Sequence, residues 1–325
     1  MRRARARALA NVALVKYFGK RDLALNLPAA GSLSLTLEPF STTTEVTFDE
    51  ALVNDEVILA GALADENFTA RVTRFLDIVR QRAGSNCRAR VITKNAFPTA
   101  AGLASSASGF AALSLAATKA LELEFQSDEL SALARRGSGS AARSVVGGIA
   151  VWNAGSRSDG ADSFARSIAS RDDRDLSIVI GVADPGRKAM SSTAAMEQTR
   201  QTSPFYASWI ESCKADLQDA VDAVNKRDFS KLGEVTERSA LCMHAAALAA
   251  RPGIAFWNGT TVEVLHRTRQ LRKDGVEAYF TCDAGPQPKI LCLPESVELI
   301  ANALRNEPGI TEVICCELGE GARIV

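Results

Sequence analysis

Hydrophobic spacing changes character near the middle of this chain, and that change limits the folds open to it. Before about residue 183 the apolar residues fall mostly into short runs of strand character: Ala8 to Val15, Leu33 to Leu37, Thr43 to Phe48, Val57 to Ala60, Arg88 to Thr93, Ile149 to Trp152 and Leu176 to Val182. Helical segments interrupt them, the first being Phe68 to Arg82 with Val72, Phe75, Leu76 and Val79 on one face. After Asp184-Pro185-Gly186 the pattern turns helical over Ser191 to Arg200, Pro204 to Asn225, Phe229 to Ala250 and Val262 to Lys273. Two strands, Ala278 to Cys282 and Val313 to Leu318, and a helix over Pro294 to Leu304 complete this half. Mixed order without a regular strand-helix repeat predicts an α+β two-layer fold rather than a doubly wound sheet. The change near 183 predicts two domains, residues 1–183 and 184–325.

Charge and cysteine usage remove several classes of function. Lys plus Arg and Asp plus Glu are equal at 38 each, and the one dense basic run is Arg2, Arg3, Arg5 and Arg7, so the chain lacks the basic face of a nucleic-acid reader. The seven cysteines form no C-x-x-C pair, and His244 and His266 stand apart from any zinc-ligand spacing, which leaves buried free thiols in a reducing compartment as the expectation. The apolar run after the first arginines is cut by Asn11 and ended by Lys16, too short for an export signal or a membrane span. A cytoplasmic protein without a membrane partner is expected.

Four stretches carry the chemistry. The segment Asn95 to Gly109 has few bulky residues and leads into an Ala- and Leu-rich helix running to about Glu124. Within it, Pro98 to Ser108 combines small residues that let a polyanion approach the backbone, serine hydroxyls, and a helix start whose free N–H groups and dipole favour phosphate. A plain Ala/Ser linker feeding a helix is the alternative, and the stretch is not a Walker motif. Gly137-Ser138-Gly139-Ser140-Ala141-Ala142-Arg143 follows a short helix and plants a guanidinium, suited to carboxylate or phosphate, among hydroxyls; a solvated turn is the alternative. Asp283 closes a strand before Ala284-Gly285-Pro286 and is either a base facing a cleft or a turn cap. Asn11 inside a strand-like run, and Lys16 at its end, are costly to bury without polar partners and so are expected at a polar site.

Taken together, these stretches resemble the diphosphomevalonate decarboxylases, in the superfamily that also holds galactokinase, homoserine kinase, mevalonate kinase and phosphomevalonate kinase. The family pattern N-x-A-x-x-K-Y-W-G-K-R is similar to Asn11 to Arg21, P-T-A-A-G-L-A-S-S is identical at Pro98 to Ser106, and G-S-G-S-A-x-R matches Gly137 to Arg143. The family's F-D-A-G-P-N stands here as Cys282-Asp283-Ala284-Gly285-Pro286-Gln287. The resemblance implies the small-molecule-kinase superfamily fold: a ribosomal-protein-S5-like N-terminal domain, a ferredoxin-like C-terminal domain, and an active site in the cleft between them. It implies ATP-dependent decarboxylation of mevalonate 5-diphosphate, with ATP and Mg2+ required, and a homodimer.

Residue by residue, the resemblance assigns Asp283 as the base, Arg143 and Asn11 as partners of the substrate carboxylate, and Lys16 as the charge keeping Asp283 ionised. Tyr17, Phe18, Gly19, Lys20, Arg71, Ser138, Gly139, Ser140, Ala141, Ala142, Ser192 and Thr193 are expected on the substrate side. Gly102, Leu103, Ala104, Ser105, Ser106, Ala107 and Ser108 are expected to form the ATP loop, with Ser106 near a Mg2+ held mainly by the phosphates. Phe18, Cys282 and Gln287 depart from the family's Trp, Phe and Asn, which alters the walls of the pocket. Rival readings are a phosphomevalonate decarboxylase, a mevalonate 3-kinase, or a non-catalytic nucleotide- or metabolite-binding module.

Overall fold

A computed structural model describes residues 2–97, 105–173, 175–184, 186 and 190–325. The first half contains strands β1 (Arg2–Val15), β2 (Lys20–Asp22), β3 (Leu27–Pro28), β4 (Ser32–Asp49), β5 (Glu56–Leu59) and β6 (Ala62–Leu63) before helix α1 (Glu66–Ala83). Strand β7 (Arg88–Asn95), helices α2 (Ser105–Ala120), α3 (Ser127–Gly137) and α4 (Ala141–Ser144), and strands β8 (Ile149–Trp152), β9 (Ala165–Ala169) and β10 (Ser177–Val182) follow. The remainder runs α5 (Ser192–Thr202), α6 (Tyr206–Lys226), α7 (Phe229–Leu248), α8 (Gly259–Lys273), β11 (Ala278–Cys282), β12 (Pro288–Cys292), α9 (Val297–Arg305), β13 (Glu312–Leu318) and β14 (Arg323–Ile324).

One large sheet carries most of these strands, in the order β11-β12-β10-β13-β4-β7-β5-β6, with β1 and β8 also pairing with β4. Its spine is the antiparallel pair β1 and β4, which runs from Arg2 opposite Phe48 to Val15 opposite Leu33, with register shifts after Leu9 and Ala13. The basic start of the chain is therefore strand: Arg2, Arg3 and Arg5 stay exposed while Ala6 and Ala8 face the core, the period-two alternation of a half-buried strand. The runs Leu33 to Leu37 and Thr43 to Phe48 belong to the single strand β4. Strand β10 pairs with β12 on one side and β13 on the other, so its hydrogen bonds run to the last part of the chain.

Helices cover the sheet as two groups. Phe75, Leu76 and Val79 of α1 and Phe110, Ala111 and Leu113 of α2 pack with Val46 and Val91 of the sheet. Val224 of α6 and Leu232 and Val235 of α7 pack with Leu33, Leu35, Ile178 and Ile180. No described helix is long and apolar enough to cross a membrane.

Helix α1 matters to the site because it carries two cationic residues to it, Arg71 and Arg74. It starts at Asp65, whose side chain accepts from the Phe68 N–H, and stops at Gly84, whose φ of 61° suits a residue without Cβ. Its register is pinned by Arg80, whose fork meets both oxygens of the buried Asp55 at 3.0 and 2.8 Å while Asp55 also accepts from the Ala89 N–H at 2.8 Å. Arg80 also donates to the half-exposed Asp77 at 2.7 Å, whereas among the described residues the buried Asp55 carboxylate has Arg80 as its one cationic partner, so Arg80→Met strands that charge and should destabilise the fold by about 3–5 kcal/mol. Urea unfolding checks this, and a loss below about 1 kcal/mol would mean that water, rather than Arg80, solvates Asp55.

Candidate active site

The site is assembled where strand ends meet. Lys16 follows the last residue of β1, and its backbone N–H donates to Ser239 Oγ of α7 at 3.0 Å. Its ammonium is fully buried and donates to Ala13 O at 2.8 Å and to Asp283 Oδ1 at 2.7 Å. Asp283 follows β11, and its second oxygen lies 3.2 Å from Lys289 Nζ of β12. Burial would raise the Asp283 pKa, but the ammonium of Lys16 and then that of Lys289 outweigh it and hold the carboxyl well below the usual carboxylate range. Burial lowers the Lys16 pKa, and Asp283 opposes that effect. The carboxylate is therefore ionised throughout the neutral range, and its side chain is still 30% exposed.

Arg143 lies on α4, a single turn following two glycines. The Gly139 backbone lies so close to the Tyr17 hydroxyl that a Cβ would collide with it, and a Cβ on Gly137 would strike the Phe110 ring. Arg143 Nε and Nη2 donate to Asn11 Oδ1 at 3.2 and 3.1 Å, and Nη1 donates to Ser32 Oγ at 2.7 Å. Asn11 is fixed in turn, since its Nδ2 donates to Ser144 Oγ at 2.7 Å and Ser140 O at 3.1 Å. These partners are neutral. Burial pushes the guanidinium down to about 10, with Tyr17 and Asp283 opposing, so it remains cationic at neutral pH. A buried cation held by neutral oxygens and open to a cleft is suited to an incoming anion.

The cleft has a volume of about 1310 Å³ and is lined by Asn11, Lys16, Arg143 and Asp283 at one end. That exceeds the roughly 300–1,000 Å³ of a single small-molecule site and gives room for two substrates side by side. Lys20, Arg71, Arg74 and Arg136 add positive charge to the wall, against Asp65 and Asp283 as its acidic groups. Arg71 donates to Gly137 O at 2.8 Å, which ties α1 to the glycine turn. Burial, then the charge of Arg74, lowers the Arg71 pKa; burial, then Arg71, lowers that of Lys20. Ser105 and Ser106 open α2 on the cleft, and Ser106 and Ser140 each lie 3.4 Å from the Ser138 hydroxyl, long contacts that leave those oxygens available. They fit phosphate and a phosphate-bound Mg2+; among the described residues no cluster of His, Cys, Asp and Glu could hold a metal by itself.

The expected residues divide by placement. Tyr17, Phe18, Lys20, Arg71, Ser138, Gly139, Ser140, Ser192 and Thr193 all line the cleft. Gly102, Leu103 and Ala104 lie outside the described residues. Ala107 and Ser108 face the core of α2, where the Ser108 hydroxyl meets Thr42 Oγ1 at 2.7 Å, and Ala141 and Ala142 are fully buried. Gly19 packs under Tyr206. Sequence reasoning missed Lys289, Arg74 and Arg136. Arg74 was findable, three residues beyond Arg71 on the same helix face. Lys289 was hidden because the strand Pro288–Cys292 itself was missed. All seven cysteines are free, and only Cys315 is exposed.

Comparison with known proteins gives the same direction. Residues 8–165 match the Diphosphomevalonate decarboxylase-like N-terminal domain, and residues 178–324 match the Mevalonate 5-diphosphate decarboxylase C-terminal domain. A diphosphomevalonate decarboxylase of Aspergillus fumigatus is 36% identical over 323 residues, covering 93% of this chain and 80% of that protein. The Homo sapiens diphosphomevalonate decarboxylase is 34% identical over 306 residues, covering 88% and 76%. The crystal structure of mevalonate diphosphate decarboxylase from Staphylococcus aureus superposes with a TM-score of 0.95 at 38% identity, covering 100% of this chain and 98% of that one. Fold and cleft define a member of the two-domain small-molecule-kinase superfamily. Within that class, the chain belongs to the diphosphomevalonate decarboxylase family.

Behind the carboxylate, His244 of α7 places Nε2 3.2 Å from the Trp257 indole nitrogen and 3.3 Å from the Cys282 backbone oxygen. Burial, then the charge of Lys16, pushes His244 down to about 3. An unfolded histidine binds its proton near pH 6.5, so the unfolded chain gains protons that the fold refuses. Stability from this group is complete above about pH 6.5 and falls by up to about 1.4 kcal/mol per pH unit below it. Urea unfolding of parent and His244→Gln at pH 7 and pH 5 should give a smaller pH difference for the variant; equal differences would refute the assignment.

Proposed function

We propose that this chain catalyses the ATP-dependent decarboxylation of mevalonate 5-diphosphate to isopentenyl diphosphate, with release of ADP, phosphate and CO2. The observation that carries the reading is Asp283, a carboxylate held ionised at one end of a cationic cleft that also holds Arg143 and opens onto the start of α2. Support comes from a related structure, 40% identical with a TM-score of 0.93, solved in complex with MVAPP, AMPPCP and magnesium.

The substrate's tertiary 3-hydroxyl is a poor nucleophile. Asp283 accepts its proton as the oxygen attacks the γ-phosphorus and the bond to ADP breaks. A carboxylate this acidic is a weak base, so proton transfer is useful only late, when phosphorus has begun to bond and the hydroxyl has become acidic. Phosphate then leaves carbon 3, the bond to the carboxylate cleaves, and its electron pair forms the new double bond as CO2 departs. Arg143 holds the carboxylate until that point, and Asn11, bonded to Arg143, fixes its orientation. Lys20, Arg71, Ser138 and Ser192 bind the 5-diphosphate, while Ser105, Ser106 and the N–H groups opening α2 receive the nucleotide phosphates. Mg2+ bound with ATP supplies charge neutralisation on its phosphate oxygens.

A substrate panel of mevalonate, its 5-phosphate and its 5-diphosphate with Mg-ATP, scored for ADP and CO2, tests the reading. The diphosphate should be turned over best. Faster turnover of the monophosphate would move the assignment to a neighbouring decarboxylase, and ADP without CO2 would make the protein a 3-kinase.

Asp283→Asn should fold, bind both substrates and lose about 10²–10⁴-fold in kcat, equally in ADP and CO2, because phosphorylation comes first. Near-parental rates would reduce Asp283 to a turn cap. Arg143→Gln should harm CO2 release at least as much as ADP formation, and rapid quench should detect any 3-phosphorylated intermediate that escapes. Ser106→Ala should weaken use of Mg-ATP with little change in Tm, and unchanged ATP kinetics would remove Ser106 from the nucleotide site.

A further inference from the structure

Two lysines meet the carboxylate of Asp283, Lys16 from the wall of the cleft and Lys289 from behind it. Lys289 lies inside β12, flanked in the sheet by Thr281 of β11 and Ile180 of β10. It is 2% exposed, with Nζ 3.2 Å from Asp283 Oδ2 and 3.2 Å from the backbone oxygen of Gln287. An ammonium in a strand that continues Ile290-Leu291-Cys292 is costly to desolvate, where Val or Leu would pack without that cost. A lysine serving the core alone would need a carboxylate of its own. Among the described residues the one carboxylate in salt-bridge reach of Lys289 is Asp283, which Lys16 already pairs.

The two ammonium groups differ in what else they can touch. Lys16 lines the cleft and Lys289 does not. Lys289 therefore makes no direct contact with the cleft and reaches it through Asp283. A carboxylate tied at one oxygen can still swing about its χ2 bond, whereas one tied at Oδ1 by Lys16 and at Oδ2 by Lys289 has its plane fixed.

We infer that Lys289 is a positioning residue for the base: it locks the plane of the Asp283 carboxylate and supplies the second positive charge that keeps it ionised against the approach of the anionic phosphoryl group. The inference rests on the decarboxylase reading only in taking Asp283 as base. The charged and titratable groups packed around Asp283 are Lys16 beside β1, Lys289 on β12, Arg143 on α4, Cys282 on β11 and His244 on α7. Burial leaves Cys282 at about 11 and His244 at about 3, so both are neutral near pH 7, and Arg143 stays charged. Removing Lys289 therefore takes one charge from the site with no neighbour titrating to replace it.

The test is a cycle of four proteins, parent, Lys289→Met, Asp283→Asn and the double variant, with Lys289→Arg as the charge-keeping control. Lys289→Met should lower kcat by about 10–100-fold while KM for both substrates stays within about threefold, and Lys289→Arg should recover most of the loss. In the Asp283→Asn background, Lys289→Met should cost no further rate, because the group it acts through is gone. Parental kcat in Lys289→Met, or the same fold-loss in both backgrounds, overturns the inference. Urea unfolding of the same four proteins needs no turnover, and there the two substitutions should be non-additive; additivity also overturns it. Failure of the decarboxylase reading would look different: the parent would release no CO2 while the unfolding cycle stayed non-additive. Should Lys289→Met fail to fold, Lys289→Gln completes the cycle in its place.

Discussion

The ion pair between Lys16 and Asp283 joins residues 267 positions apart, and much of the fold serves to make it. Lys16 sits at the end of the long β1–β4 spine, Asp283 at the end of β11, and α7 braces both through Ser239 and His244. A buried lysine alone would shed its proton, and a buried carboxylate alone would keep one. Brought together they stay charged, but each depends on the other's position to within a hydrogen-bond length. The sheet supplies that precision, since β11, β12 and β10 are held in register by backbone bonds on either side of Lys289.

The charge around that pair is deliberately unbalanced. Lys16, Lys289 and Arg143 face one carboxylate, and farther along the cleft Lys20, Arg71, Arg74 and Arg136 face Asp65. A formally neutral chain thus concentrates its positive charge where anions are to bind. Such a surplus destabilises the empty cleft and is relieved when phosphates and a carboxylate enter, so binding energy is directed at the reacting groups. Arg143 shows the cost most directly, since burial lowers its pKa and its hydrogen-bond partners Asn11 and Ser32 carry no charge.

The sequence made the chemistry more legible than the topology. Asn11 and Lys16 stood out as polar residues where apolar ones would be cheaper, Arg143 as a guanidinium planted among hydroxyls, and Asp283 as an acid closing a strand before a turn. Period-two spacing found the strands but not their joins: Leu33 to Leu37 and Thr43 to Phe48 are one strand, because the segment between them keeps pairing across a shift in register. Strand β12 was missed because its signals compete, a Pro at the start, a Lys at the second position and no alternation, since both faces are covered. Losing that strand concealed Lys289. Ser108 is the opposite error: it sits in a run of serines, but helical rotation turns its hydroxyl inward to Thr42 while Ser105 and Ser106 face the cleft.

The departures from the family pattern follow from the same distinction between wall and support. Phe18 lines the cleft, yet it is 2% exposed and packs edge-on against Trp209 and Phe256. A Trp there would need a partner for its indole N–H, which Phe does not. Cys282 and Gln287 form no part of the cleft lining, contrary to the expectation that they shape its walls. Cys282 is wholly buried with its thiol protonated, and packs among Val179, Phe280 and Ile290. Gln287 accepts from the Ala183 N–H at 2.7 Å and donates to Asp184 O, while its own backbone oxygen holds Lys289. Its longer side chain thus spans from the strand behind Asp283 to the segment leaving β10. Cys282 and Gln287 therefore meet the surroundings of Asp283 rather than the cleft, so their variation leaves the groups lining the cleft unchanged.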